Sequence, residues 1–297
     1  MRPRIVEFLN RYFDTHAFSW VFPGVLVVYG MMVLAGSWVF AHRCKRVGLK
    51  PAEALGMSLT GVFVGWVGGH LFYVLQNLKY TLQHPGILWD LGGDSISFGV
   101  YTGGLAAILV YSWLRNLSPL CYLDALASVL GLGPMIGRFA CFLNGDDFGQ
   151  LSGLPWAVRF PRGSYPWLDE LNKGLIDVSA SLSLPVHPVQ LYGCIKGLVL
   201  FVLFTALWRK RRLQPGALFL LFWATYAVCR FGLEFFRGDN RGAIGGLSTG
   251  QYCSMIIFCF SLSCLLLFYK GRIFKPMIYE SDSCFDTGRH AADSRVV

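Results

Sequence analysis

Long apolar runs alternate with short polar stretches along this chain. The runs cover roughly 21–41, 54–78, 96–114, 120–143, 189–208, 216–236 and 245–268. Each run approaches the ~20 residues that a helix needs to cross the hydrocarbon of a bilayer. Lipid offers the backbone no hydrogen-bond partners, and the runs are too long for barrel strands, so they predict helices. We therefore expect an all-α integral membrane protein with about seven transmembrane helices.

Basic residues follow every odd-numbered run and predict the orientation of the chain. They are Arg43, Lys45, Arg46 and Lys50 after the first run, Arg115 after the third, Arg209 to Arg212 after the fifth, and Lys270, Arg272 and Lys275 after the seventh. Because short cytoplasmic loops are enriched in lysine and arginine, this pattern predicts an external N-terminus and a cytoplasmic C-terminus.

The polar stretches between and beside the runs define the expected domain organisation. Residues 1–20 carry apolar residues at helical spacing between charges, which indicates an amphipathic helix at the membrane surface. The membrane domain spans 21–275, and its long loop at 145–188 falls outside, where we expect a small periplasmic head between helices 4 and 5. Residues 276–297 are polar, and we expect a disordered cytoplasmic tail there.

The composition agrees with a membrane protein. Hydrophobic residues make up 54% of the 297 residues and charged residues 14%, against about 25% charged in soluble domains. The net charge of +9 would suggest nucleic-acid binding in a soluble protein. Here the basic residues lie beside apolar runs, as topology determinants do, so nucleic acid is not an expected partner.

Several predicted helices carry glycines four residues apart. Gly61, Gly65 and Gly69 lie in the second helix, and Gly133 and Gly137 lie in the fourth. Such spacing allows helix backbones to approach closely, so these glycines are interpreted as packing positions without a chemical role.

Ionisable residues within the apolar runs indicate a functional site, because charges inside a bilayer are costly. Arg138, Lys196 and Arg230 each lie roughly 9–10 Å from the outer end of their helices, given the rise of ~1.5 Å per residue. Glu234 follows Arg230 by four residues, so the two side chains can pair on one helix face. Three cations at one depth beside one acid predict a pocket with net positive charge.

A phospholipid phosphate is the anion that would best neutralise such a pocket. The planar guanidinium group of arginine binds phosphate through two parallel hydrogen bonds, which suits Arg138 and Arg230. Two alternatives stay open: Arg138 pairs with Asp146 or Asp147, and Lys196 extends towards the interface.

Other polar residues belong to the same predicted region. Tyr226 and Arg237 extend the helix face of Arg230 and Glu234. Tyr29, His70 and Thr102 fall roughly 9–12 Å from the outer ends of their helices. For each of these last three residues, ordinary packing is a more frequent explanation than chemistry.

Several motifs in order resemble those of the prolipoprotein diacylglyceryl transferase family. The matching stretches are Tyr29 to Met32, Gly137 to Asp146, His187 to Tyr192 and Tyr226 to Arg237, with Asp124 and Gly250-Gln251 in addition. The resemblance covers most of the chain and agrees with the predicted number and orientation of the helices.

The resemblance implies a bacterial enzyme of the cytoplasmic (inner) membrane. Such enzymes move diacylglyceryl from phosphatidylglycerol to the lipobox cysteine in the signal peptide of a preprolipoprotein, forming a thioether. No metal or soluble cofactor is implied. We expect Arg138, Arg230 and Glu234 to carry the reaction. The expected substrate-binding residues are Tyr29, His70, Thr102, Arg138, Asn144, Asp146, His187, Gln190, Lys196, Tyr226 and Arg237.

The chain also departs from the family pattern. The departures are Thr102 for a histidine or tyrosine, Cys141 for an asparagine, Asp146 for a glutamate, His70 for an arginine and Gly193 for a glutamate. If the missing histidine accepts a proton, His70 is a candidate substitute, and Lys196 is a candidate relocated cation.

The departures motivate an alternative: a non-catalytic paralogue that binds lipid or assists membrane assembly. A transporter is disfavoured because the polar residues gather in the outer half.

Overall fold

The computed structural model describes residues 23–89, 96–210, 213–239 and 243–269. The amphipathic helix predicted at 1–20 and the tail predicted at 276–297 lie outside these ranges. The helices are α1 (Pro23–Arg46), α2 (Pro51–Gln76), α3 (Leu78–Gln83), α4 (Ser97–Leu114), α5 (Pro119–Ala127), α6 (Leu132–Asn144), α7 (Tyr165–Asn172), α8 (Val189–Lys210), α9 (Ala217–Glu234) and α10 (Thr249–Tyr269). A short 3₁₀ helix at Pro85–Trp89 and a hairpin of β1 (Ala243–Ile244) and β2 (Leu247–Ser248) complete the elements.

Each apolar run corresponds to a helix or to a pair of helices, which confirms a helical membrane protein. In the described part of the chain, five helices are long and apolar enough to span a membrane: α1, α2, α8, α9 and α10. The pair of α5 and α6 makes a sixth if it is one bent span, and α4 is apolar but shorter. The count of seven and the orientation of the chain remain predictions.

The run at 120–143 is interrupted, where a single helix was expected. Helices α5 and α6 differ in direction by 46°. A Cβ atom at Gly131, just before α6, would lie 2.5 Å from the backbone nitrogen of Phe201, and one at Gly197 would lie 2.4 Å from that of Met135. The bend therefore occurs where the backbones of α6 and α8 touch, which needs glycine on both sides.

The chain divides into two compact units. The first unit contains residues 1–36 and 127–276, and the second contains residues 37–126 and 277–297. In the second unit α2 packs along α4 through glycines. A Cβ atom at Gly99 would lie 2.3 Å from the carbonyl oxygen of Gly68, and one at Gly65 would lie 2.9 Å from that of Val100. The predicted role in close helix packing is confirmed for Gly65 and is wrong for Gly133, where no atom of a neighbouring helix in the described ranges lies within 4 Å of an added Cβ atom.

In the first unit α8 packs against α6 and α9, and α9 packs against α10. The segment 145–188 lies between α6 and α8 and is folded by side-chain contacts and isolated bridges such as Val158 with Val186. Trp167 on α7 is buried and donates from Nε1 to the carbonyl oxygen of Ala180 at 2.9 Å. The segment therefore has a small core of its own, while its periplasmic location remains a prediction.

Candidate active site

The loop after α6 turns back sharply and places two adjacent aspartates next to the helix end. Gly145 has a φ of 78° and Asp147 a φ of 53°, both in the left-handed region. Two backbone hydrogen bonds then join this loop to the segment after α9. Gln150 donates to the carbonyl oxygen of Phe236 at 2.9 Å, and Gly238 donates to that of Phe148 at 3.0 Å. This pairing fixes Asp147 beside Arg237.

Asp147 bridges two arginines from different parts of the chain. Its Oδ2 accepts a hydrogen bond from Nη1 of Arg138 on α6, and its Oδ1 lies 2.5 Å from Nη2 of Arg237. Arg237 also donates from Nε to Asp239 at 2.9 Å and from Nη2 to the other oxygen of Asp239 at 2.8 Å. Of the two alternatives left open for Arg138, the pairing with Asp147 is the one found.

A second charged group lies where α9 meets α10. Arg230 and Glu234 form the ion pair that their spacing predicts, with Nη1 and Oε2 2.5 Å apart. The other carboxylate oxygen of Glu234 accepts from the hydroxyl of Ser248 at 3.0 Å. A Cβ atom at Gly250 would lie 2.7 Å from Oε1 of Glu234, so the missing side chain at 250 makes room for this pair.

Lys196 on α8 lies close to both groups. Its Nζ lies 4.1 Å from the ring centroid of Tyr226, which is a cation–π contact. Its charge interacts electrostatically with Arg138 and Arg230. Among the described residues no carboxylate oxygen lies within 4.0 Å of this ammonium group. Cations from α6, α8 and α9 therefore lie near one another.

The expectation that Glu234 is the one acid near these cations is wrong, because further carboxylates lie beside them. Asp147 pairs with Arg138 and Arg237, and Asp239 pairs with Arg237. The error has a physical cause: Asp147 and Asp239 are in loops, and it is the backbone pairing of those loops that brings the carboxylates to the guanidinium groups.

Asp146 is held differently from its neighbour. Nδ2 of Asn144 donates to Oδ2 of Asp146 at 2.9 Å, and Nε2 of the buried Gln190 donates to its carbonyl oxygen at 2.7 Å. Its Oδ1 is buried and has no hydrogen-bond partner among the described residues. Burial raises the pKa of the Asp146 carboxyl, although the hydrogen bond from Asn144 opposes this shift. Such a carboxyl is suited to accept a proton.

Tyr29 lies near this cluster, and His187 packs against Phe236, the residue before Arg237. Tyr29 on α1 interacts electrostatically with Cys141, Asp146 and Arg138. Nδ1 of His187 lies 3.3 Å from the hydroxyl oxygen of Tyr192. The structure thus brings ten predicted residues into the first unit. They are Tyr29, Arg138, Asn144, Asp146, His187, Gln190, Lys196, Tyr226, Arg230 and Glu234, and Arg237 joins them through Asp147.

His70 and Thr102 belong to the second unit, on α2 and α4. The hydroxyl of Thr102 donates to the carbonyl oxygen of Phe98 at 3.0 Å, within its own helix, so ordinary helix structure accounts for it. His70 is buried, and its ring nitrogens have no hydrogen-bond partner in the described ranges. The contacts described for both residues stay inside their own unit.

Cys141, Asp146 and Asp147 form the one group in the described part of the chain whose side chains could converge on a metal ion. Their potential ligand atoms lie within 4.8 Å of one another. Asp147 already neutralises Arg138 and Arg237, so a divalent cation would compete with two guanidinium groups for that carboxylate. The donor set therefore fits a metal poorly.

Sequence reasoning missed the residues that support the charged side chains. They are Asp239, which pairs with Arg237, and Ser248, which donates a hydrogen bond to Glu234. A Cβ atom at Gly193 would lie 2.8 Å from Cγ of Arg138, so this guanidinium stem lies directly on α8. The nearness of Asp239 to Arg237 in the sequence was the available signal. Ser248 is distant from Glu234 in the sequence, so no signal in the sequence predicted their contact.

Comparisons with known proteins identify the family that the chain resembles. Residues 16–267 match the model of a family described as Prolipoprotein diacylglyceryl transferase. A Clostridium tetani protein named phosphatidylglycerol–prolipoprotein diacylglyceryl transferase is 30% identical over 245 residues, which cover 80% of this chain and 91% of that protein. Proteins of the same name are 34% identical in Azospirillum brasilense, covering 80% of this chain and 88% of the relative, and 35% identical in Rhodospirillum centenum, covering 79% and 83%.

Proposed function

The chain belongs to the prolipoprotein diacylglyceryl transferase family and is a multi-pass membrane transferase, and from this premise we propose how it acts. It moves a diacylglyceryl group from phosphatidylglycerol to a protein cysteine. The acceptor is the lipobox cysteine in the signal peptide of a preprolipoprotein. The reaction takes place in the bacterial cytoplasmic (inner) membrane, on the outer side.

One observation carries this proposal: cationic side chains from α6, α8 and α9 lie near one another within a largely apolar helical unit. The positive charges of Arg138, Lys196 and Arg230 are close enough to repel one another. Acidic side chains offset part of this repulsion. Ionisable groups inside a bilayer are costly and usually functional, and a phospholipid phosphate matches their charge.

The proposed reaction is a substitution at carbon. The cysteine sulfur attacks the glyceryl carbon that carries the phosphate oxygen, so a carbon–sulfur bond forms and a carbon–oxygen bond breaks. Glycerol phosphate leaves with the electron pair of the broken bond. Arg138 and Arg230 bind the phosphate and stabilise the charge that grows on it, because a prearranged guanidinium group does so without reorganisation.

Asp146 is the proposed proton acceptor. The thiol must lose its proton to become nucleophilic. The Oδ1 atom of Asp146 is buried without a partner in the described ranges, and burial raises the pKa of this carboxyl towards that of a thiol. Asn144 and Gln190 orient the aspartate. Glu234 holds Arg230 in place, and Tyr29, His187, Tyr226 and Arg237 line or support the site.

A transfer assay tests this function directly. The purified full chain is placed in phosphatidylglycerol nanodiscs with a synthetic lipobox peptide, and mass spectrometry measures the diacylglyceryl adduct. The Clostridium tetani relative is the positive control, and a peptide with serine in place of cysteine is the negative control. We expect the adduct on the cysteine peptide and growth when the chain replaces an essential transferase. Absence of both, with an active control, would favour the non-catalytic alternative.

A further inference from the structure

Asp147 has no role in the transfer reaction proposed above, yet its carboxylate bridges two arginines of the site. Its two carboxylate oxygens are divided between Arg138 and Arg237. These partners differ in accessibility: the side chain of Arg237 is 4% exposed and that of Arg138 is 23% exposed. Arg237 is thus a buried anchor for Asp147, and Arg138 is the arginine that an incoming molecule can reach.

The anchor remains satisfied if Asp147 releases Arg138. Arg237 makes two further hydrogen bonds to Asp239, and Oδ1 of Asp147 can keep its contact with Nη2 of Arg237. Breaking the contact between Oδ2 and Arg138 therefore leaves the more deeply buried Arg237 paired with carboxylates. Of the two contacts of Asp147, the one to the more exposed Arg138 costs less to open.

A phosphate and a carboxylate compete for the same donors. The carboxylate is planar and the phosphate tetrahedral, but each presents a pair of oxygens that a guanidinium group binds through charge-assisted hydrogen bonds. Two anions on one arginine also repel each other, more strongly in a partly desolvated site than in water. A phosphate that approaches Arg138 must therefore displace the Asp147 carboxylate from the guanidinium nitrogen to which it would bind.

We propose that Asp147 is an internal competitor of the lipid phosphate. Its carboxylate holds Arg138 in place while the site is empty, and the phosphate of phosphatidylglycerol displaces it. The same competition weakens the hold of Arg138 on glycerol phosphate after transfer and so assists product release. This inference rests on the proposed function, in which Arg138 binds the phosphate.

The backbone at Asp147 adopts a left-handed conformation that the neighbouring backbone hydrogen bonds support. Its φ of 53° is uncommon for a residue with a side chain and needs support from its surroundings. The pairing of Phe148 with Gly238 and of Gln150 with Phe236 supplies that support. Replacement by glycine relieves the conformational preference and removes the carboxylate, which provides a variant that is expected to fold.

The test compares the wild-type chain with Asp147→Asn and Asp147→Gly in the nanodisc assay. The measured quantities are the KM for phosphatidylglycerol, kcat, and inhibition by glycerol phosphate. Loss of the competitor is expected to lower the KM and the inhibition constant about 3- to 10-fold, since one partly buried charge-assisted contact no longer has to be broken. A higher KM in both variants would overturn the proposal and leave Asp147 with a purely positioning role.

Asp169→Asn is the matched control. It removes one negative charge from the segment 145–188, at the exposed ion pair with Lys173. We expect its KM to change by less than about 2-fold. An equal fall in KM for Asp169→Asn would show that the loss of any negative charge on this segment has the same effect, and it would contradict competition at Arg138.

Three further outcomes are distinguishable. If the wild-type chain transfers no lipid, the proposed function fails and this inference fails with it. If the wild type is active and both Asp147 variants keep its KM and its inhibition by glycerol phosphate, the competitor role alone is wrong. If neither variant shows a cooperative melting transition, Asp147 is a structural residue and the proposal is overturned.

Discussion

Glycine permits close backbone contact in both units, and in the first unit it also makes room for charged side chains. In the second unit, Gly68 and Gly99 let the backbones of α2 and α4 touch. In the first unit, the missing side chains at Gly193 and Gly250 make room for Arg138 on α8 and for Glu234 beside α10. A glycine in a membrane helix thus indicates close approach, and its neighbours decide whether a backbone or a charged side chain approaches.

This comparison predicts that removing a charged side chain from the first unit lowers the rate of transfer. It also predicts that disturbing the close backbone packing of the second unit lowers the free energy of unfolding. Arg138→Ala should cause the largest effect, a loss of roughly 10²- to 10³-fold in kcat/KM, which is typical when one donor to a developing anion is removed. The nanodisc transfer assay measures this loss.

The fold should survive the Arg138 change because Asp147 keeps its pairing with Arg237. Arg159→Ala is the matched control, since Arg159 is exposed on the segment between α6 and α8. It should stay within about 2-fold of wild type, as surface substitutions usually do. Similar activity for Arg138→Ala and Arg159→Ala would remove Arg138 from the phosphate site.

Asp146→Asn should lower kcat by about 10²-fold, the usual contribution of a general base. The wild-type pH profile should also show an acid limb, because the carboxyl accepts a proton only when it is ionised. Burial raises the pKa of Asp146, so activity should rise with pH through a value above the ordinary ~3.9 of aspartate.

The acid limb should disappear in the residual activity of Asp146→Asn. Asparagine keeps an oxygen that can accept the hydrogen bond of Asn144, so a folding defect is not expected. An unchanged rate and pH profile in Asp146→Asn would show that another residue is the general base. His70, buried without a hydrogen-bond partner in the described ranges, would be tested next.

Gly99→Ala tests the packing of the second unit. The added Cβ atom would lie 2.3 Å from the carbonyl oxygen of Gly68 and 2.7 Å from Cβ of Phe72, so the helices must separate. Overpacking of this kind costs about 1–3 kcal/mol, which thermal unfolding in detergent would detect.

Gly61→Ala is the matched control on α2 for that change. Its added Cβ atom would lie 3.7 Å from the nearest atom, an ordinary contact. Alanine also favours helix more than glycine does, so unchanged or slightly higher stability is expected. Equal destabilisation by both substitutions would show that close approach at Gly99 is not the cause.

Thr102→Val should have the smallest effect, less than about 2-fold in kcat/KM, because the hydroxyl is satisfied by its own helix. The same transfer assay measures it. A loss comparable to that of Arg138→Ala would place chemistry in the second unit and would break the contrast between the two units.

The apolar runs of the sequence predicted the long helices of the described chain. Periodicity and length predicted them because a bilayer requires continuous apolar helices. The bend at Gly131 was missed, since it depends on the backbone of α8 lying against that residue. The start of α10 at Thr249, after the hairpin of β1 and β2, was also missed, because a turn at Gly245-Gly246 was hidden inside an apolar run.

The candidate site was predictable where its contacts are local. The pair of Arg230 and Glu234 follows from their spacing on one helix. The bridge from Arg138 through Asp147 to Arg237 does not, because it depends on two loops pairing far apart in the sequence. Local periodicity carries no information about such pairing.

A structure of the chain with phosphatidylglycerol bound tests the central claim most directly. The account predicts a phosphate oxygen within roughly 2.7–2.9 Å of the guanidinium nitrogens of Arg138. It also predicts Asp147 released from Arg138 and still paired with Arg237. A headgroup bound elsewhere, with Arg138 and Asp147 still in contact, would contradict it.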